Sequence, residues 1–161
     1  MNSFEELYAE YYPGMFRVAK KMIGNQDGVP DVLQDVFADL FYKLNRGSEI
    51  RNPKGWLYRA TFNKCIDSLR KQKRFQPIGS AEDISAESDS TENHDLKMAM
   101  ETTLARLKPR DRMLAVLYSE GLSYKEMAEA TGIRFASIGR MLSRTLEKIE
   151  RDFKDQGYEL F

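Results

Sequence analysis

Apolar side chains return every three or four residues through almost all of this 161-residue chain, and few stretches alternate as strands do. That period makes an all-α fold the expectation. Phe4, Leu7, Tyr8, Tyr11, Met15, Phe16, Ala19, Met22 and Ile23 mark a first stripe over about 3–23. Pro13 is placed to kink or split it, and Gly24-Asn25 to end it. Val29, Val32, Leu33, Val36, Phe37, Leu40, Phe41 and Leu44 predict a second helix over about 28–45. Arg46-Gly47-Ser48-Glu49 reads as a loop, and Asn52-Pro53 as a helix start, a capping side chain before a proline at the first helical position.

Residues 76–92, QPIGSAEDISAESDSTE, are poor in large apolar side chains and rich in Ser, Asp and Glu, the composition of a flexible linker. Beyond it, Leu96, Met100, Thr103, Leu104 and Leu107 predict a helix over about 93–107, broken by Lys108-Pro109. Met113, Leu114 and Leu117 carry the next to Glu120, with Gly121 to close it. Ser123 and Glu126 form a capping box, with Leu122 and Met127 placed as a hydrophobic staple. Ile138, Met141, Leu142, Thr145, Ile149 and Phe153 stitch a last helix over about 135–153. There is no internal repeat. The boundaries predict two small helical domains, 1–75 and 93–161, joined by a flexible acidic linker, 76–92.

Acids and bases balance at 25 each, but they are segregated. Residues 1–50 carry net −3, 51–75 net +7, 76–103 net −6 and 104–161 net +2. Cys65 is the only cysteine, which excludes an intrachain disulfide and suits a reducing cytoplasm. With His94 the only histidine, no CxxC and no phosphate-binding glycine loop, neither a metal, a cofactor nor catalysis is expected. No apolar run approaches membrane-spanning length, and the acidic, aromatic start MNSFEELYAEYY does not read as a signal peptide.

The +7 block is the helix from Pro53 onward. At about 100° per residue, Tyr58, Phe62, Cys65, Ile66 and Leu69 share one face and read as core. Trp56, Ala60, Asn63, Asp67, Arg70, Lys71 and Arg74 fall on the other. A tryptophan there is either packed under a neighbouring loop or meant for a partner. Aromatic rings beside guanidinium groups hold single-stranded nucleic acid, phosphates on the cations and bases on the ring, at roughly 1–3 kcal/mol per stacked base. Asn63 offers donor and acceptor together to a base edge. A membrane-surface helix would want a wide apolar face instead, while a plain solvated face accounts for Lys71, Lys73 and Arg74.

Tyr124 to Met141, YKEMAEATGIRFASIGRM, has the spacing of a helix-turn-helix: small Ala128 at the crossing, Gly132 in the turn, Ile138 locking the second helix. An αα-hairpin with no DNA role would share that spacing. The outward residues Arg134, Ala136, Ser137, Gly139, Arg140, Ser143 and Arg144 would meet a major groove, with Arg140 and Arg144 on one face at i, i+4.

In this order the features resemble the extracytoplasmic-function sigma factors of the sigma-70 family, over roughly residues 5–153. DVLQDVF, Asp31 to Phe37, is similar to the region-two helix that docks on RNA polymerase; KGWLYRATFNKCIDSLRKQKR to the promoter-melting and minus-ten helix; LKPRDRMLAVLYSEGLSYKEMAEATGI, Leu107 to Ile133, to the start of region four. The resemblance implies minus-ten contacts for Trp56, Arg59, Asn63, Asp67, Arg70, Lys71 and Arg74, with 45–52 in the place of a base-capture loop. It implies polymerase docking for Asp31, Gln34 and Asp35, which an ordinary acidic helix face would also explain. It implies minus-thirty-five contacts for Arg134, Ser137, Arg140, Ser143 and Arg144, although Gly139 and Met141 stand where many members have basic residues. Core RNA polymerase and promoter DNA are the implied partners, an anti-sigma factor a further candidate. A DNA-binding regulator that senses a ligand or dimerises is the rival reading, and it leaves the Trp56–Asn63 face unexplained.

Overall fold

A computed structural model of the chain describes residues 3–24, 28–75 and 91–158, the side chains of 73–75 and 91–93 excepted. Among these residues there are seven α-helices and no strand: α1 Phe4–Ile23, α2 Gly28–Asn45, α3 Pro53–Phe75, α4 Thr91–Arg106, α5 Pro109–Ser119, α6 Tyr124–Thr131 and α7 Phe135–Asp155. Most of the acidic stretch 76–92 lies outside the described residues; Thr91 and Glu92 already belong to α4.

Local chemistry sets the ends. Ser3 and Glu6 form a capping box at the start of α1, a signal the apolar stripe did not reveal. Pro13 sits inside α1, which runs through it as one helix; the expected split does not occur. Asn52 Oδ1 accepts from the Gly55 amide at 3.1 Å ahead of Pro53, as the Asn-Pro pair predicts. Ser123 and Glu126 make their reciprocal capping bonds, and Gly132 closes α6 at φ +77, a conformation that favours glycine.

Helices α1, α2 and α3 pack mutually; α7 packs on α4, α5 and α6. The two blocks also touch, α3 against α6 and α1 against α5 and α4. One apolar core therefore runs from Leu7, Val18, Leu33 and Leu40 through Leu57 to Met113, Leu117, Met127 and Ile138. A smaller one joins Ala99, Leu104, Leu107, Ala115, Ile149 and Phe153. Several expected core positions lie instead at the surface. Tyr8 and Phe41 are exposed in an aromatic cluster with Phe4, Tyr12 and Phe37. In α4, Leu96 and Met100 face out, while Ala99, Thr103 and Leu104 are buried. Helix α4 rests on both α7 and α1, and against α7 small and hydrogen-bonding side chains make part of the contact.

Candidate nucleic-acid interface

Helix α3 has three neighbours, so its buried arc is wider than one stripe. Tyr58, Phe62 and Cys65 are buried as their spacing predicts, Ile66 and Leu69 half-buried. Leu57 and Thr61 are fully buried as well, and sequence reasoning missed both; the Thr61 hydroxyl meets Met15 Sδ at 3.2 Å. Burial holds the Tyr58 phenol above its usual pKa, with nearby Glu120 adding to the rise. It pushes the Cys65 thiol up to about 12, against the opposing field of Arg112, so the thiol is a core group rather than a nucleophile.

What remains outward on α3 is Arg59, Asn63, Asp67, Arg70 and Lys71, all exposed. Among the described residues neither Arg70 nor Lys71 forms an ion pair. Arg74 ends the row, its side chain outside the described ones. Trp56 is more sheltered than its helical position predicts: it is half-buried against the core, with Lys43 Nζ of α2 lying 5.6 Å from its ring centroid. The ring is thus packed on the core with a cation over it, which places an aromatic group and a positive charge together at the head of the outward row.

The N-terminal turn of α3 is engaged by α6. Lys54 Nζ lies 2.6 Å from Glu126 Oε2, Asn52 Nδ2 donates to Glu129 Oε2 at 2.6 Å, and Arg59 Nη1 donates to the Glu129 carbonyl at 3.3 Å. The ion pair holds the Glu126 carboxyl below its ordinary pKa and raises that of Lys54. Only Arg59 of this group was expected to be functional. A clue to the rest was available in Gly55, a helix-weakening residue within the first turn of α3. A Cβ there would come within 3.1 Å of Glu129 Oε2 and 2.6 Å of Asn52 Nδ2.

On α2, Asp31, Gln34 and Asp35 are all exposed, opposite buried Val32, Val36 and Phe37. The structure divides them between two clefts. Asp31 and Asp35 join Lys64, Asp67, Ser68 and Lys71 around a polar cleft of about 200 Å³, so the docking and minus-ten candidates adjoin. Gln34 instead edges an apolar groove of about 460 Å³ between α1 and α2, lined by Phe4, Tyr8, Tyr12, Phe37 and Phe41.

On α7, Arg134, Arg140, Ser143 and Arg144 are exposed and Ser137 half-buried, while Ile138, Leu142 and Thr145 are buried. Gly139 lies where α7 nears the start of α6, but a Cβ there would lie 3.4 Å from Tyr124 Cε2, an ordinary contact, so packing does not demand glycine. Phe135, the first residue of α7, is 62% exposed beside Arg134, a large apolar side chain on the face expected to meet DNA.

The comparisons with known proteins agree with this layout. Residues 7–75 match the family model for sigma-70 region 2 and residues 97–149 that for sigma-70 region 4, together most of the chain. The chain is 28% identical over 161 residues to the ECF RNA polymerase sigma factor SigE of Mycolicibacterium smegmatis, covering 95% of this chain and 62% of that one. It is 29% identical over 136 residues to the RNA polymerase sigma factor SigV of Bacillus subtilis, covering 82% and 80%. Its fold is similar to that of the sigma factor RpoE solved in complex with the anti-sigma factor NepR from Bartonella quintana: TM-score 0.73, 22% identity, 94% of this chain and 96% of that one.

Proposed function

We propose that this chain, which belongs to the sigma-70 family and carries its regions 2 and 4, is a promoter-specificity subunit of bacterial RNA polymerase of the extracytoplasmic-function class. It has no chemistry of its own on this reading. It directs the core enzyme to promoters, reads the minus-thirty-five element in duplex form with α7, and opens the minus-ten element by trapping unstacked bases along α3. Residues 1–75 act as region 2 and 93–161 as region 4, with 76–92 between them. The cytoplasm is where such a subunit works; no described helix is long and apolar enough to cross a membrane.

The observation that carries the reading is the outward row of α3. Asn63, Arg70 and Lys71 are exposed on a helix whose other sides are covered, and half-buried Trp56 lies at the head of the row with Lys43 over its ring. A folding role explains none of these exposed groups, whereas a single strand lying along them uses each. Asp31, Gln34 and Asp35 form the docking edge for the polymerase, adjoining that row through the polar cleft. An anti-sigma factor is a further partner by analogy with the RpoE–NepR complex, and the aromatic groove of α1 and α2 is the apolar surface available to it.

Reconstitution with bacterial core RNA polymerase tests the reading: failure to co-purify with core, or to open any promoter after selection from genomic DNA, sinks it. Trp56→Ala and Asn63→Ala are expected to impair promoter opening at least tenfold, the cost of about 1.4 kcal/mol or more of lost base contact. Both should leave core binding and helicity unchanged. Loss of core binding together with opening would assign these side chains to packing instead.

A further inference from the structure

Helix α7 begins with a side chain that the fold does not use. Phe135, its first residue, belongs to neither apolar core and keeps 62% of its surface in water. The other exposed phenylalanines described, Phe16 and Phe41, sit in the aromatic cluster of α1 and α2. Phe135 forms no aromatic pair among the described residues. One apolar side chain at a surface is ordinary in itself; the position of this one is what makes it informative. In a helix-turn-helix, the first residues of the second helix are those that reach base edges in the major groove. Gly132 in its left-handed turn and fully buried Ile138 fix that register here, so Phe135 and exposed Ala136 are the leading residues. Arg134 stands before them, and Arg140 shares a face with Ala136 at i, i+4. Both arginines are exposed and, among the described residues, form no ion pair. The first turn of α7 contains no acid to oppose an approaching phosphate backbone.

Chemistry restricts what such a helix start can read. A phenyl ring and a methyl group neither donate nor accept hydrogen bonds, so the donor and acceptor pattern of the groove is closed to them. The one apolar group that a base pair presents in the major groove is the C5 methyl of thymine. We propose that Phe135 is a specificity-determining residue for the minus-thirty-five element: its ring, with Ala136 beside it, packs on a thymine methyl, while the flanking arginines engage phosphate or guanine. The proposal rests on the assignment of α7 to duplex DNA made above. It supplies a base preference that the polar residues of the same face lack. Serine hydroxyls serve several bases and arginine favours guanine, so selection of an A·T pair at the start of α7 falls to Phe135. An apolar contact releases no counterion, so its share of the affinity is unchanged by salt, unlike that of the arginines.

The test uses bacterial core polymerase reconstituted with the full chain, and a promoter selected from genomic DNA. Each thymine of the duplex minus-thirty-five element is replaced in turn by deoxyuridine, which lacks the methyl and keeps every hydrogen-bonding edge. At one position the wild-type holoenzyme should bind about fourfold more weakly, the contribution of one buried methyl group. Phe135→Ala should bind the thymine promoter more weakly by at least that factor and be indifferent to deoxyuridine at that position. Phe135→Leu, still apolar, should keep part of the response, and Arg140→Ala all of it; the wild-type ratio should hold from low to high salt. Helicity and urea midpoint of the Phe135 variants should match wild type, since the side chain is exposed. A deoxyuridine penalty at no position, or an equal one in wild type and Phe135→Ala, overturns the proposal, as does a minus-thirty-five element without thymine. An equal loss by Phe135→Ala on a premelted template lacking the element also overturns it, placing the ring on the polymerase instead. If the wild-type chain opens no promoter at all, the assignment of α7 falls first and this contact with it.

Discussion

Arg112 is the residue whose surroundings are hardest to satisfy by any other side chain. Its guanidinium donates to the carbonyls of Met22, Ala105 and Leu107, and so ties the end of α1 to the α4–α5 turn. Burial pulls its pKa below the ordinary value, only partly opposed by the nearby Cys65. A planar fork with five donors can reach three carbonyls from one position, which an ammonium cannot. Arg112→Met keeps the apolar stem but strands three carbonyls, so a loss of roughly 2–3 kcal/mol is expected. Arg112→Lys should fall between it and wild type. Urea midpoints for the three proteins check this; an Arg112→Met variant as stable as wild type would mean that water already serves those carbonyls.

Helices α4 and α7 are held together by a polar clamp beside the small apolar core that Ala99 and Leu104 form with Ile149 and Phe153. Asp152 accepts from the Thr103 hydroxyl at 2.6 Å, Arg106 Nη1 at 2.6 Å and Gln156 Nε2 at 2.9 Å. These donors, Thr103 foremost, hold its carboxyl below the ordinary value of 3.8. A carboxyl whose pKa is lowered by folding stabilises the fold while it is ionised. The contribution is therefore complete above the unfolded value and disappears as pH falls through the folded one. Asp152→Asn should cost roughly 1 kcal/mol at neutral pH, and its deficit against wild type should shrink once the pH drops below 3.8. A deficit constant with pH would place the effect in shape rather than charge. At this scale several local signals were legible: the capping box at Ser123, the Asn52-Pro53 start and the left-handed Gly132 stand where they were expected, whereas the Ser3–Glu6 box was missed and Pro13 does not split α1. It was silent where burial depends on a distant helix. Leu57 and Thr61 are buried because α3 has neighbours on three sides, and Phe41 is exposed because α2 has none beyond its aromatic edge. No periodicity within one helix encodes how many others surround it.

At the scale of the whole molecule, the absence of net charge becomes an argument about delivery. A protein that finds DNA alone is usually strongly basic, whereas this chain carries 25 acids and 25 bases and only +2 over residues 104–161. On the proposed function the chain is held on a large enzyme, meets promoter DNA at high effective concentration and needs few phosphate contacts of its own. Arg134, Arg140 and Arg144 are the exposed cations on the outward side of α7, beside Ser137 and Ser143. With about three phosphates engaged, the logarithm of duplex affinity should fall against the logarithm of salt with a slope no steeper than about −3. If Arg140 meets a phosphate, Arg140→Ala makes the slope shallower by about 1 and weakens all duplexes alike; if it meets guanine, the slope holds and discrimination at one base pair is lost. In either case Arg140→Ala should slow opening of an intact promoter by the reconstituted polymerase while leaving initiation on a premelted template unchanged. Equal losses on both templates would move Arg140 from duplex reading to a contact with the enzyme.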